Sequence, residues 1–223
     1  SDLAPATTGA LRRLVTWCNA STVEDADVST ITDFRRIFSF RPDASVFNLS
    51  GWNVSQGTDF SGMFKNSRFN GDINQWNVGQ GTDFSWMFED SLFNRDINQW
   101  DVSQGTDFSG MFANSVFDQP LNCWDVSSGD FFSRMFGRAA DFNQSLPRWK
   151  AAVTAAAADQ DGEWVRDMFT ESGACFPGWP EVGISDPCFP SPPGPNCTLP
   201  PTTSDTGEGP SPPPPTTSET DVA

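Results

Sequence analysis

The chain runs to 223 residues and is strongly acidic, with 29 Asp and Glu against 13 Lys and Arg and a formal net charge of −16. That balance argues against nucleic acid and anionic membrane as partners, because an acidic surface repels phosphate. No run of 18 apolar residues offers a membrane span, and with neither His nor Tyr the usual base for a Ser or Cys nucleophile is missing, so no enzyme is expected.

The chain opens at Ser1 without an initiator Met or signal peptide, as a processed mature form or a recombinant piece would. Leu11, Leu14, Val15 and Cys18 fall at i, i+3, i+4, i+7, which predicts an amphipathic helix over about residues 8–18. It belongs to an N-terminal capping segment, residues 1–25, placed to cover the open end of the body that follows. A degenerate coil comes next. Asp27-Val28-Ser29 and Thr32-Asp33-Phe34 match Asn53-Val54-Ser55 and Thr58-Asp59-Phe60, with Ala26 where a Trp is due. The 26-residue step from Ile37 to Met63 leaves two extra residues near Arg41-Pro42-Asp43.

From there the chain is periodic. Trp52, Trp76, Trp100 and Trp124 recur every 24 residues, in step with Met63, Met87, Met111 and Met135. Self-similarity at such a period marks a solenoid whose units stack only on their neighbours. Within a unit, Ile73-x-x-Trp76-x-Val78 alternates at strand period, and Phe84, Met87 and Phe88 follow at i, i+3, i+4, as one helical turn would. Each coil is therefore expected to be a short parallel strand leading into a short helix, with Asp59, Asp83 and Asp107 as helix caps. Gly57, Gly81, Gly105 and Gly129 stand where the chain must turn out of the strand. Stacking at a strand spacing of ~4.8 Å would line the Trp, Met and Phe residues into continuous core ladders.

These residues carry a resemblance. L/I-x-x-W-x-V is similar to the strand segment of leucine-rich repeats. W-[ND]-V-S-x-x-T-D-F-S-x-M-F, followed by Phe69-Asn70-Gly71-Asp72-Ile73 or Phe93-Asn94-Arg95-Asp96-Ile97, resembles the repeat of BspA-like leucine-rich-repeat surface proteins over about residues 26–148. The resemblance implies an α/β solenoid that is secreted or surface-displayed, with no catalysis attached to the repeat itself. The helix before the first coil also resembles algal members of that family.

The solenoid is expected over residues 26–176 in about six coils. Trp149 keeps the beat at 25 residues, but Met168 follows Met135 by 33, and the Ala-rich run Ala151-Ala152-Val153-Thr154-Ala155-Ala156-Ala157-Ala158 predicts an elongated helix there. Residues 177–198 form a Cys/Pro-rich closure and residues 199–223 a Pro/Ser/Thr-rich tail that cannot fold by burial. Ser211-Pro212-Pro213-Pro214-Pro215 resembles the unit of extensin-type cell-wall glycoproteins. That likeness implies a polyproline II rod, with hydroxyproline or O-glycan candidates at Pro192, Pro193, Ser211, Pro212, Pro213, Pro214, Pro215, Thr216 and Thr217. A plain polar linker is the alternative.

Five sequons offer N-glycan candidates at Asn19, Asn48, Asn53, Asn143 and Asn196. Five cysteines leave one unpaired or intermolecular in an oxidising compartment. Cys18 and Cys123 lie about four strand spacings apart, too far for one bond. Cys175, Cys188 and Cys197 are therefore the disulfide candidates, Cys175 with Cys188 first, while Cys18 is either a buried helix residue or an intermolecular partner. Asp72 and Asp96 either hydrogen-bond backbone or line a calcium ladder, the former being favoured; no metal or other cofactor is expected, though glycans are. The leading expectation is a secreted, glycosylated structural protein of a fibre, wall or appendage. It would self-assemble into a homo-oligomer or filament through solenoid ends and tail. The alternative is an adhesion or ligand-binding module using a polar strand face of Gln75, Asn77, Gln99, Asp101 and Asp125.

Overall fold

The computed structural model describes residues 5, 7–146, 148–158 and 160–173. Their core is a stack of layers that repeat with the 24-residue period, and the layers are made of turns. In the layer of Trp76, the carbonyls of Ile73, Val78, Phe84, Trp86 and Phe88 each accept the N–H three residues on, at 2.7–3.3 Å. Trp86 and Asp90 have φ of +58° and +54°, the left-handed third position that a type II turn requires. Other N–H groups face the next layer. Those of Phe84, Trp86, Phe88 and Asp90 donate to the carbonyls of Asp107, Ser109, Met111 and Ala113 at 2.8–3.0 Å.

The α/β solenoid of leucine-rich-repeat-like coils is therefore not what forms. Among the described residues there is no strand, and the α-helices are α1 (Thr8–Trp17), α2 (Ala20–Glu24) and α3 (Lys150–Ala158), with 3-10 turns at Pro42–Val46 and Gln160–Val165. Extended contact between layers is one residue wide, as isolated parallel bridges linking Asp33, Asp59, Asp83, Asp107 and Phe131 in succession. Each misreading has a physical cause. A helical turn at Phe84–Phe88 would need the Phe88 N–H on the Phe84 carbonyl, but that N–H goes to Met111, and positive φ at Trp86 breaks the helix. The Ile73-x-x-Trp76 step is closed by a turn, Trp76 N to Ile73 O at 3.1 Å, instead of extended. Apolar spacing reports which side chains point inward; it does not report where the N–H groups go.

Inside, rings stand in columns. Trp52, Trp76, Trp100, Trp124 and Trp149 stack with centroids 6.1–6.4 Å apart. Phe34, Phe60, Phe84, Phe108 and Phe132 do so at 5.4–5.7 Å. Phe38, Phe64, Phe88, Phe112, Phe136 and Phe169 form a third column at 5.4–5.6 Å, and Met63, Met87, Met111, Met135 and Met168 are fully buried beside them. Each indole is also a rivet between layers. Trp76 Nε1 donates to Leu49 O at 2.9 Å, Trp100 to Ile73 at 3.1 Å, Trp124 to Ile97 at 2.9 Å and Trp149 to Leu121 at 3.2 Å. A buried indole N–H without such an acceptor would carry a penalty of ~1–3 kcal/mol. Glycine is required at Gly57, Gly81, Gly105 and Gly129, where a Cβ would fall 2.3–2.4 Å from the ring of Phe60, Phe84, Phe108 or Phe132.

Helix α1 closes one end. Thr7 accepts Ala10 N at 3.2 Å as its N-cap, and Leu11 and Val15 are fully buried. Thr8 Oγ1 donates to Asp33 O at 2.6 Å and Arg12 Nη2 to Arg35 O at 2.5 Å. In the next layer the matching carbonyls, Asp59 and Ser61, take the N–H groups of Phe34 and Arg36. The helix thus fills two acceptors that a preceding layer would use. At the other end α3 lies in the Ala-rich run of the 33-residue layer, burying Val153 and Ala156.

Candidate functional site

The turns place two columns of left-handed residues on one face. The first is Arg36, Gly62, Trp86, Gly110, Arg134 and Asp167, the second Phe40, Asn66, Asp90, Asn114, Arg138 and Glu171, with φ between +52° and +62°. Gly, Asn and Asp tolerate this conformation; for other residues it costs roughly 1–2 kcal/mol. In the first column large side chains alternate with small ones, and each large one leans over the layer that follows. A Cβ on Gly110 would lie 2.2 Å from Trp86 Cε3, and one on Gly62 would lie 3.3 Å from Arg36 Cγ. Arg134 Nε reaches Asp167 Oδ2 at 3.8 Å.

That alternation carves two adjoining grooves with Trp86, Glu89 and Arg134 in common. One, of about 360 Å³, runs past Asn114, Gly137, Arg138 and Glu171; the other, of about 330 Å³, past Arg36, Gly62, Lys65 and Ser85. Lys65 Nζ stands 5.3 Å from the Trp86 ring centroid and pairs with Glu89, whose Oε2 is buried and is met by this ammonium. Asn114 Nδ2 donates to Asp90 Oδ1. Arg134 and Arg138, with side chains 66% and 71% exposed, are held only by long pairs, the second at 3.5 Å to Glu171. The grooves are lined mostly by polar and charged side chains, with Trp86 as the aromatic residue they share and Arg36, Arg134 and Arg138 along them.

Asp59, Asp83 and Asp107 accept the N–H of Ser61, Ser85 and Ser109 at 2.8–3.0 Å. They cap turns two residues on, not helices. Asp72 and Asp96 do the same for Asn74 and Asn98 at 3.0 and 2.9 Å, the backbone partner favoured for them. Of the polar face, Gln99, Asp101 and Asp125 line a groove of about 410 Å³ with Cys123 and Arg148, while Gln75 and Asn77 are exposed outside it. The Asp125 carboxyl is held below its ordinary value by the Ser127 hydroxyl and N–H, and that of Asp33 chiefly by the Arg35 side chain. Asn19, Asn48, Asn53 and Asn143 are exposed; Asn48 Oδ1 accepts both N–H and hydroxyl of Ser50, at 3.2 and 2.8 Å. Asn196 and the tail candidates lie outside the described residues.

The cysteine assignment needs correcting. Cys18 is free and exposed, not buried, and Cys123 is disulfide-bonded although it had no place among the candidate pairs. Cys175, Cys188 and Cys197, with the pairing expected among them, lie outside the described residues. Sequence reasoning also missed Trp86 and Arg134. The signal was there as a break in period, since both stand where Gly62 and Gly110 stand in other units.

A family model described as "Mycoplasma protein of unknown function, DUF285" matches residues 10–115 and again residues 82–172. The two matches begin 72 residues apart, three periods of 24, so the model registers on the same repeat twice. No curated protein and no solved structure matches the chain. With most of its length covered, the chain belongs to the DUF285 repeat family.

Proposed function

We propose that the chain is a secreted or surface-displayed structural repeat protein, non-catalytic and glycosylated, that serves as a stiff element of an extracellular layer or appendage. The observation that carries this reading is the regular stack of 24-residue layers, each packed and hydrogen-bonded on the next. The unbroken ring columns support the stiffness, and family membership is compatible with the resemblance to BspA-like surface repeats. Since α1 occupies the acceptors of the first layer, self-assembly runs through the opposite end or the tail, not through that edge. Negative-stain microscopy and sedimentation of the full chain test this. Ordered assemblies are the expected outcome, and a monomer at every concentration overturns it.

A second reading, a ligand-binding surface module, is favoured by one observation. Arg36, Trp86 and Arg134 hold left-handed backbone at positions where glycine also serves, and strain retained at an exposed face points to use.

A further inference from the structure

We propose that the Trp86 face binds an acidic polysaccharide laid along the stack, with a sugar ring against the indole and its carboxylate or sulfate groups on Arg36 and Arg134. This rests on the second reading above. Three observations carry it. Arg36, Trp86 and Arg134 occur in alternate layers of one column, so planar groups recur about every 10 Å at a layer spacing of ~4.8 Å. Guanidinium, indole and guanidinium in that order suit a polymer whose repeat alternates a flat apolar ring face with an anion. The fork of a guanidinium matches carboxylate and sulfate geometry, and the indole offers a rigid apolar plane.

Charge is the second observation. The two grooves hold Arg36, Lys65, Arg134 and Arg138 against Glu89, Asp90, Asp167 and Glu171. That is four of the chain's 13 basic residues but only four of its 29 acidic ones, which makes this face balanced on a chain that otherwise repels anions. Glu89 is paired with Lys65, and Arg134 and Arg138 hold Asp167 and Glu171 only at 3.8 and 3.5 Å, so these two guanidinium groups and Arg36 are the ones an incoming anion can take. Backbone is the third observation. The N–H groups of Gly62, Trp86, Gly110 and Arg134 are spent on the next layer at 2.8–2.9 Å, so the face has no free edge on which a peptide strand could be added. Recognition falls to side-chain planes, as it does for sugars.

The test is isothermal titration of the full chain with an oligogalacturonate, a sulfated galactan fragment, a neutral mannan oligomer and a poly-glutamate peptide. Binding of either acidic glycan, weakening as salt rises, with none for the mannan or the peptide, is the expected result. The uronate and sulfate arms tell which anion the face prefers. Trp86→Gly and Arg134→Gly are expected to weaken that binding about tenfold each while leaving the melting temperature unchanged or raised, because glycine relieves the left-handed strain. No binding of either acidic glycan, equal binding of mannan or poly-glutamate, or unchanged affinity in both variants overturns the proposal. None of these outcomes bears on the structural reading, which stands or falls on assembly.

Discussion

Trp100→Ala is the most informative single change to the stack. The indole is buried, stacks on Trp76 and Trp124 at 6.4 Å on each side, and donates to Ile73 O at 3.1 Å. Emptying such a site costs ~3–5 kcal/mol, and two lost ring contacts add ~0.5–1.5 kcal/mol each beyond burial. The Ile73 carbonyl keeps the Trp76 N–H, so an orphaned acceptor adds little. The expected loss is about 4–8 kcal/mol, a large part of the ~5–15 kcal/mol that holds a folded chain together. Trp100→Phe keeps a ring and removes the donor, for about 1–2 kcal/mol. Trp52 has one Trp neighbour in the column, so Trp52→Ala should cost about 1 kcal/mol less than Trp100→Ala. Urea unfolding under non-reducing conditions, followed by far-UV circular dichroism, measures all three. Because layers touch only their neighbours, Trp100→Ala is also expected to split the transition in two. A loss below about 2 kcal/mol, or Trp52→Ala costing as much as Trp100→Ala, would refute the idea that central rings couple the layers.

Gly110→Ala puts a Cβ at φ +60° and 2.2 Å from the Trp86 ring; a loss of about 2–3 kcal/mol is expected, much of it recovered when Trp86→Gly is added, as a double-mutant cycle in urea would show. Deleting residues 1–18, or combining Thr8→Val with Arg12→Ala, frees the Asp33 and Arg35 carbonyls and should promote association at that end, visible in sedimentation velocity. The Asp33 carboxyl sits below its ordinary 3.8, chiefly through the Arg35 side chain. Its contribution is therefore full above about pH 3.8 and is lost as pH falls through the lowered value. Arg35→Ala should raise the Asp33 midpoint in a carboxyl carbon NMR titration and move acid unfolding to higher pH. Asn94 Oδ1 accepts both Asp118 N and Gln119 Nε2 from the next layer, so Asn94→Leu should cost about 1–3 kcal/mol in the same urea assay, and an unchanged midpoint would contradict that role.

Much of the interior was legible in the sequence. A strict 24-residue recurrence of Trp, Met and Phe can satisfy burial only by alignment across layers, and the i, i+3, i+4, i+7 pattern of Leu11 to Cys18 marked the segment that α1 occupies. What the pattern did not carry was backbone conformation. Phe84, Met87 and Phe88 fit a helical turn and a pair of linked turns equally well, since both bring the three side chains to one side. The clue that separates them is Gly at positions 62 and 110 with Asn at 66 and 114, residues suited to left-handed backbone, and it was masked by Trp86 and Arg134 in the same column. The candidate face was illegible for the same reason. Its residues are exceptions to the repeat, and a reading built on the repeat passes over them. Cys123 escaped because its pairing was judged by distance from Cys18 alone.

The destination of the Trp86 N–H decides between a coil of strand and helix and a stack of turns. A through-hydrogen-bond scalar coupling measured by NMR between the Trp86 amide nitrogen and a carbonyl carbon reads that destination directly. Coupling to Ser109, in the next layer, is the expected result; coupling to Thr82, four residues back, would mean a helix and contradict the turn-built stack.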